Sequence, residues 1–151
     1  MVEVELSRIL ISETSDAQII VLKEKNGRRS FPIVIGINEA LAIDRAIKDL
    51  EPQRPLTHDL MSRIIQALDA TLAGIVVNDL RSSTFYAKLL LKRNGKVVEV
   101  DSRPSDAVAM AVRFRVPIHV ENAILDEVGM EDPSGAPAPP PGNENDPEEN
   151  E

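Results

Sequence analysis

Two short stretches hold the residues whose types and spacing can do chemistry. The first is Asp101-Ser102-Arg103-Pro104-Ser105-Asp106, which opens an unbroken apolar run over 107–112. Carboxylates at a helix mouth can hold Mg²⁺ or Mn²⁺, ions that prefer oxygen ligands. The Arg103 guanidinium can grip a phosphate through paired hydrogen bonds. The second stretch is Arg54-Pro55-Leu56-Thr57-His58-Asp59. A helix start attracts phosphate, and Arg54 lies just before this one. His58 can act as general acid or base, and Asp59 can ligate a metal. Each stretch also has a plainer reading. Asp106 caps its helix while Arg103 pairs with Asp101, and His58 and Asp59 are ordinary first-turn residues. Residue types alone favour the plainer reading at both places. The chemical reading gains ground only where the two helix mouths meet in space.

The helix behind Asp106 is the element around which the chain is organised. Pro104 suits its first turn, where a missing N–H costs nothing, and Asp106 complements its dipole. Ala107 to Val112 carry no polar break, so this helix is apolar on nearly every side and belongs in the core. Helix A is expected over about 38–50, with Ala40, Ile43, Ile47 and Leu50 as its apolar stripe. Helix B runs from a Thr57 cap to about residue 70, with a Leu56–Met61 staple. Leu60, Met61, Ile64, Ile65 and Leu68 share one of its faces.

Strands fill the remainder. Val2, Val4 and Leu6 alternate with polar residues, as in a half-buried strand. Asn26-Gly27 and Asn94-Gly95 are strong hairpin signals. Folding about the first sets Leu22 opposite Phe31 and Ile20 opposite Ile33. Folding about the second sets Leu91 opposite Val98 and Leu89 opposite Val100, keeping one face apolar. Pro32 marks an edge or a bulge. Superposing the two Asn-Gly turns exposes a repeat: each half reads β-β-β-α, with helix B between them. Glu39 and Asp106 then fall at nearly the same place, offset by one residue. A duplication and a chance match of common hairpin–helix units both remain open. The fold class is α+β, with mixed or antiparallel sheets packed on a buried helix.

With 151 residues, 42% of them hydrophobic, the chain suits one domain with a real core. There is no Cys, which excludes disulfides, thiolate catalysis and Cys-ligated zinc and fits a reducing, cytoplasmic setting. MVEVELSRILI has acids within its apolar run, unlike a signal peptide, and no apolar run approaches the ~20 residues of a membrane span. The net charge is −8, but residues 131–151 hold seven acids and no Lys or Arg, leaving 1–130 at −1. A domain over 1–130 and a disordered acidic, Pro-rich tail over 131–151 follow. His119, in a short strand, reads as structural. Arg81, Lys88, Lys92, Arg93 and Lys96 around the second hairpin read as protection of an edge. No phosphate-cradling loop, GxSxG, HExxH or paired CxxC occurs.

RPLTHDL from Arg54 to Leu60 and DSRPSDAVAMAVR from Asp101 to Arg113 resemble the two signature stretches of the bifunctional nuclease family. The resemblance covers residues 1 to about 130. It implies a compact α+β fold, a homo-oligomer of two or more copies, and cleavage of RNA and DNA. Plant and some bacterial members carry a C-terminal UVR-type helical module where this chain has the acidic tail. On this basis the expected function is metal-assisted phosphodiester hydrolysis, with Mg²⁺ or Mn²⁺ held by Asp59, Asp101, Asp106 and Glu39. Arg54 and Arg103 would neutralise phosphate charge, and His58 would move a proton. With 3% aromatic residues and a nearly neutral body, the chain is a poor platform for stacking single strands. The alternative is a non-enzymatic oligomeric module that binds a partner protein or a small anion at the same helix mouths.

Overall fold

The computed structural model describes residues 1–131. The elements are β1 Val2–Leu10, β2 Gln18–Glu24, β3 Arg29–Ile35, α1 Ile37–Ile47, α2 Thr57–Ala67, β4 Thr71–Arg81, β5 Thr84–Arg93, β6 Lys96–Ser102, α3 Pro104–Phe114, β7 Ile118–Val120, α4 Asn122–Val128 and β8 Met130–Glu131. The expected tail lies outside the described residues except for Glu131, which pairs with Arg29 in the sheet rather than starting a tail.

Two antiparallel meanders, β1–β2–β3 and β4–β5–β6, are joined through β7. That short strand pairs antiparallel with β1 and parallel with β4. The result is one eight-stranded sheet in the order β6-β5-β4-β7-β1-β2-β3-β8. Meander, then helix, occurs twice: α1 follows β3 and α3 follows β6, with α2 between the units. All four expected cross-strand pairs are present, Leu22–Phe31, Ile20–Ile33, Leu91–Val98 and Leu89–Val100. A slip of one residue would turn the buried face of β3 to solvent, and the turn fixes the register. Asn94 and Gly95 both have positive φ, 52° and 75°, as a two-residue hairpin with right-handed strand twist requires. Pro32 of β3 pairs with Val21 of β2, and β8 covers only Arg29 and Ser30, so Pro32 lies on a stretch of β3 with one open edge. Val98 and Val100 are exposed, because β6 is the outer edge of the sheet.

The core is aliphatic, as the composition requires. Ile20, Leu22, Phe31, Ile43, Ile75, Met110 and Leu125 are fully buried, each contributing about 1.5–3 kcal/mol relative to exposure. Ala107 to Ala111 are all buried, so α3 is the central helix. It packs against α1, α2, β4 and β5.

The other helices depart from expectation at their ends. α1 stops at Ile47, where the chain turns through Asp49 at φ 53°. Leu56, not Thr57, takes the cap position of α2, and the Asp59 carboxylate accepts the Leu56 N–H at 2.9 Å. Ile65 and Met61 face the core, whereas Leu60, Ile64 and Leu68 are about half exposed. At 100° per residue the rows 61/65 and 60/64/68 diverge, so only one row reaches the core. Among the described residues no helix is long and apolar enough to cross a membrane.

Candidate active site

The two repeated units bring their helix starts together. α1 and α3 pack against each other. Glu39 is the third residue of α1, and Asp106 the third of α3. The offset of one residue in the sequence is absorbed in the first hairpin turn, which reaches β3 three residues after Asn26, where the second reaches β6 two residues after Asn94. Arg103, at the cap position of α3, reaches between them. Its Nε donates to Asp106 Oδ2 at 2.9 Å, Nη2 donates to Oδ1 at 3.2 Å, and Nη1 lies 3.0 Å from Glu39 Oε1. The Glu39 carboxylate lies against Gly36, where a Cβ would stand 2.4 Å from Oε2 and make the side chain shift.

α2 brings the second stretch to the same place. His58 Nε2 lies 2.9 Å from Asp106 Oδ1, across 48 residues of sequence. A nitrogen facing a carboxylate carries the proton, so Nδ1 of the neutral ring holds the lone pair. Asp59 turns elsewhere. One oxygen caps Leu56, and the other accepts from Arg113 Nη1 on α3. This pair fastens the start of α2 to α3 and so sets where His58 stands.

His58 and Asp106 line an open cleft of about 580 Å³, together with Glu39, Arg45 and Arg103. Arg45 has no carboxylate within ion-pair distance among the described residues. Its guanidinium is therefore available to an anion. In the sequence it reads only as a cation in the last turn of a helix. Arg113 reads the same way in α3, and neither was singled out by sequence.

The remaining expected residues lie apart. Arg54 is exposed before α2 and does not line the cleft. Asp101 is exposed on β6 opposite Lys88. The expected Arg103–Asp101 pair is replaced by Arg103–Asp106 and Arg103–Glu39, because the chain leaves the edge strand at Ser102 and turns into α3. Glu39, Asp59, Asp101 and Asp106 are thus not gathered around one point. Among the described residues no group of three or more His, Asp or Glu side chains is arranged to hold a metal ion. Glu39 and Asp106 share one guanidinium, so this donor set does not fit a protein-held divalent ion.

Asp106 is held below the usual aspartate range. The hydrogen bond to His58 is the largest cause, burial opposes it, and the Arg103 bonds add to it. Arg103 is raised in turn, first by Asp106 and then, more weakly, by Glu39. A carboxyl whose folded value is depressed stabilises the fold above its unfolded value, near 3.9, and loses that contribution as pH falls through the folded value. Thermal melts between pH 2 and 7 should therefore show a steeper acid limb in the wild type than in Asp106→Asn. Parallel curves would contradict this.

The arrangement combines a titratable imidazole, a carboxylate that orients it, and an unpaired guanidinium in one cleft. That set can bind an oxyanion and move a proton. Residues 20–133 match the family model of the bifunctional nuclease domain. An uncharacterized protein of Mycobacterium tuberculosis is 43% identical over 130 residues, covering 86% of this chain and 77% of its own. Bifunctional nuclease 2 of Oryza sativa subsp. japonica is 27% identical over 124 residues, 80% of this chain and 38% of the rice protein. Bifunctional nuclease 1 of Arabidopsis thaliana is 26% identical over 115 residues, 74% and 35% respectively. The match to the family model spans both helix mouths, and this chain belongs to the bifunctional nuclease domain family.

Proposed function

We propose that the chain hydrolyses phosphodiester bonds of RNA or DNA in the cleft between α1, α2 and α3. The observation that carries this is the His58–Asp106 hydrogen bond, which unites two sequence motifs at one cleft. Arg45 seats the phosphate. His58 Nδ1 takes a proton from water as the water oxygen attacks phosphorus. The P–O ester bond breaks, and the imidazolium returns the proton to the leaving oxygen. Asp106 orients the ring through its bond to Nε2. Arg103 keeps Asp106 ionised. The names of the plant relatives support a nucleic-acid substrate. A binding module for a small anion is the second reading, favoured by the unpaired Arg45.

Labelled single-stranded RNA and DNA, with Mg²⁺, Mn²⁺ or EDTA, test both. Wild type should cleave, and Asp106→Asn should lower kcat. Arg45→Ala should raise KM roughly 10- to 100-fold, since a hydrogen bond to a charged group is worth ~1.5–3 kcal/mol. Cleavage abolished by EDTA would make a divalent ion part of the reaction. No cleavage under any condition, with inorganic phosphate still bound, would establish the binding module.

Self-association is proposed beside it. Leu56, Leu60, Ile64 and Leu68 form a half-exposed stripe on α2, and Leu56 and Leu60 also border the cleft. Light scattering should give a multiple of 16.6 kDa, reduced by Ile64→Lys. A monomer mass for the wild type would refute it.

A further inference from the structure

Arg103 borders two cavities. One is the cleft that holds His58. The other, about 410 Å³, opens between the end of β3, the β4–β5 turn and the start of α3. We propose that this second cavity holds the nucleobase of the nucleotide next to the phosphate seated in the cleft, an inference that rests on the nuclease reading above.

The lining suits a flat, uncharged ring with polar edges. Ile33, Ile35 and Phe85 give it apolar wall, and Phe85 is backed by Phe31 with ring centroids 5.5 Å apart. Ser83, Thr84 and Ser105 add hydroxyls, each able to donate and accept, as the mixed edge of a base demands. Ser105 is 5% exposed, and its hydroxyl has no hydrogen-bond partner among the described residues. Its oxygen is not among the solvent-excluded atoms that lack a partner, so it is open to whatever fills the cavity. An anion is a poor occupant, because among the described residues Arg103 is the one cation that lines the cavity, and Asp106 and Glu39 already engage it. A phosphate belongs instead beside Arg45 in the adjoining cleft.

The β4–β5 turn bears on the same point. Ser82 and Ser83 have φ of 48° and 64°, a left-handed conformation that L side chains resist. The neighbouring β5–β6 turn uses Asn94-Gly95 for the same geometry, residues that adopt it readily. Ser82 and Ser83 adopt it at a conformational cost, and Ser83 lines the cavity, carrying a hydroxyl that Gly would lack.

The test is methyl NMR of the full chain, with Ile and Val labelled and EDTA present. The probes are adenosine 5′-monophosphate and ribose 5-phosphate. The nucleotide should shift the Ile33, Val34 and Ile35 methyls saturably, while the base-free sugar phosphate should leave them in place. Ser105→Leu should weaken nucleotide binding by roughly tenfold or more, about 1.4 kcal/mol. Thr84→Val, at an exposed position, serves if Ser105→Leu does not fold. Equal shifts from both probes, or shifts confined to the cleft, would overturn the base slot. Oligonucleotide cleavage is scored separately. Methyl shifts without cleavage would sink the nuclease reading and leave a nucleotide slot, whereas cleavage without methyl shifts would sink the slot alone.

Discussion

His58→Gln should fold as the wild type does and cleave RNA and DNA roughly 100- to 10,000-fold more slowly, the usual range for losing a general acid or base. Glutamine keeps an N–H that can reach Asp106 Oδ1, where His58 Nε2 now stands at 2.9 Å. It keeps the polar wall of the cleft as well. What it lacks is a basic ring nitrogen that can accept and return a proton. The loss should therefore fall on kcat, with KM within a few-fold. His58→Ala would confound this by leaving part of Asp106 unpartnered, so the isosteric change is the sharper measurement. Unchanged kcat in His58→Gln would remove His58 from the reaction and leave Asp106 as the ion-pair partner of Arg103 alone.

Arg113→Ala should have the largest effect on stability, about 2–3 kcal/mol in urea denaturation. The Asp59 side chain is 12% exposed and that of Arg113 33%. Breaking a fully buried pair by removing one partner costs ~3–5 kcal/mol, and the partial exposure of Arg113 brings the figure down. Asp59 would keep the Leu56 N–H but lose its tie to α3. The start of α2 would then be free to shift, and His58 with it. Activity should fall mainly through kcat, because Arg113 positions the imidazole and Arg45 still seats the phosphate. Arg113→Lys should restore part of both, since a single ammonium can meet one Asp59 oxygen. A double-mutant cycle with Asp59→Ala should give strong coupling, the double variant being little worse than either single one. Additive losses would show that Arg113 and Asp59 act separately.

Much of the fold was legible in local patterns. The two Asn-Gly turns set hairpin registers that the sheet reproduces pair by pair. The unbroken run behind Asp106 marked a buried helix, and α3 is that helix. The doubling of Asn-Gly, strand and helix corresponds to two β-β-β-α units. Helix ends were less legible. Thr57 has the chemistry of a cap, yet Leu56 takes the position, and the Asp59 carboxylate reaches back to accept its N–H.

Sequence by itself determined which residues stand at helix mouths: Glu39, His58, Asp59, Arg103 and Asp106, at spacings that local hydrogen bonding dictates. Only the tertiary structure decided which of them face one another. It joined Arg103 to Asp106 and Glu39, left Asp101 on the edge strand, turned Asp59 toward Arg113 and opened Arg45 to the cleft. Helical and strand periods specify the face on which a side chain lies, but not which element packs against that face. Charge pairing between residues 48 or 54 positions apart depends on the packing of α2 against α3, and no local spacing encodes it.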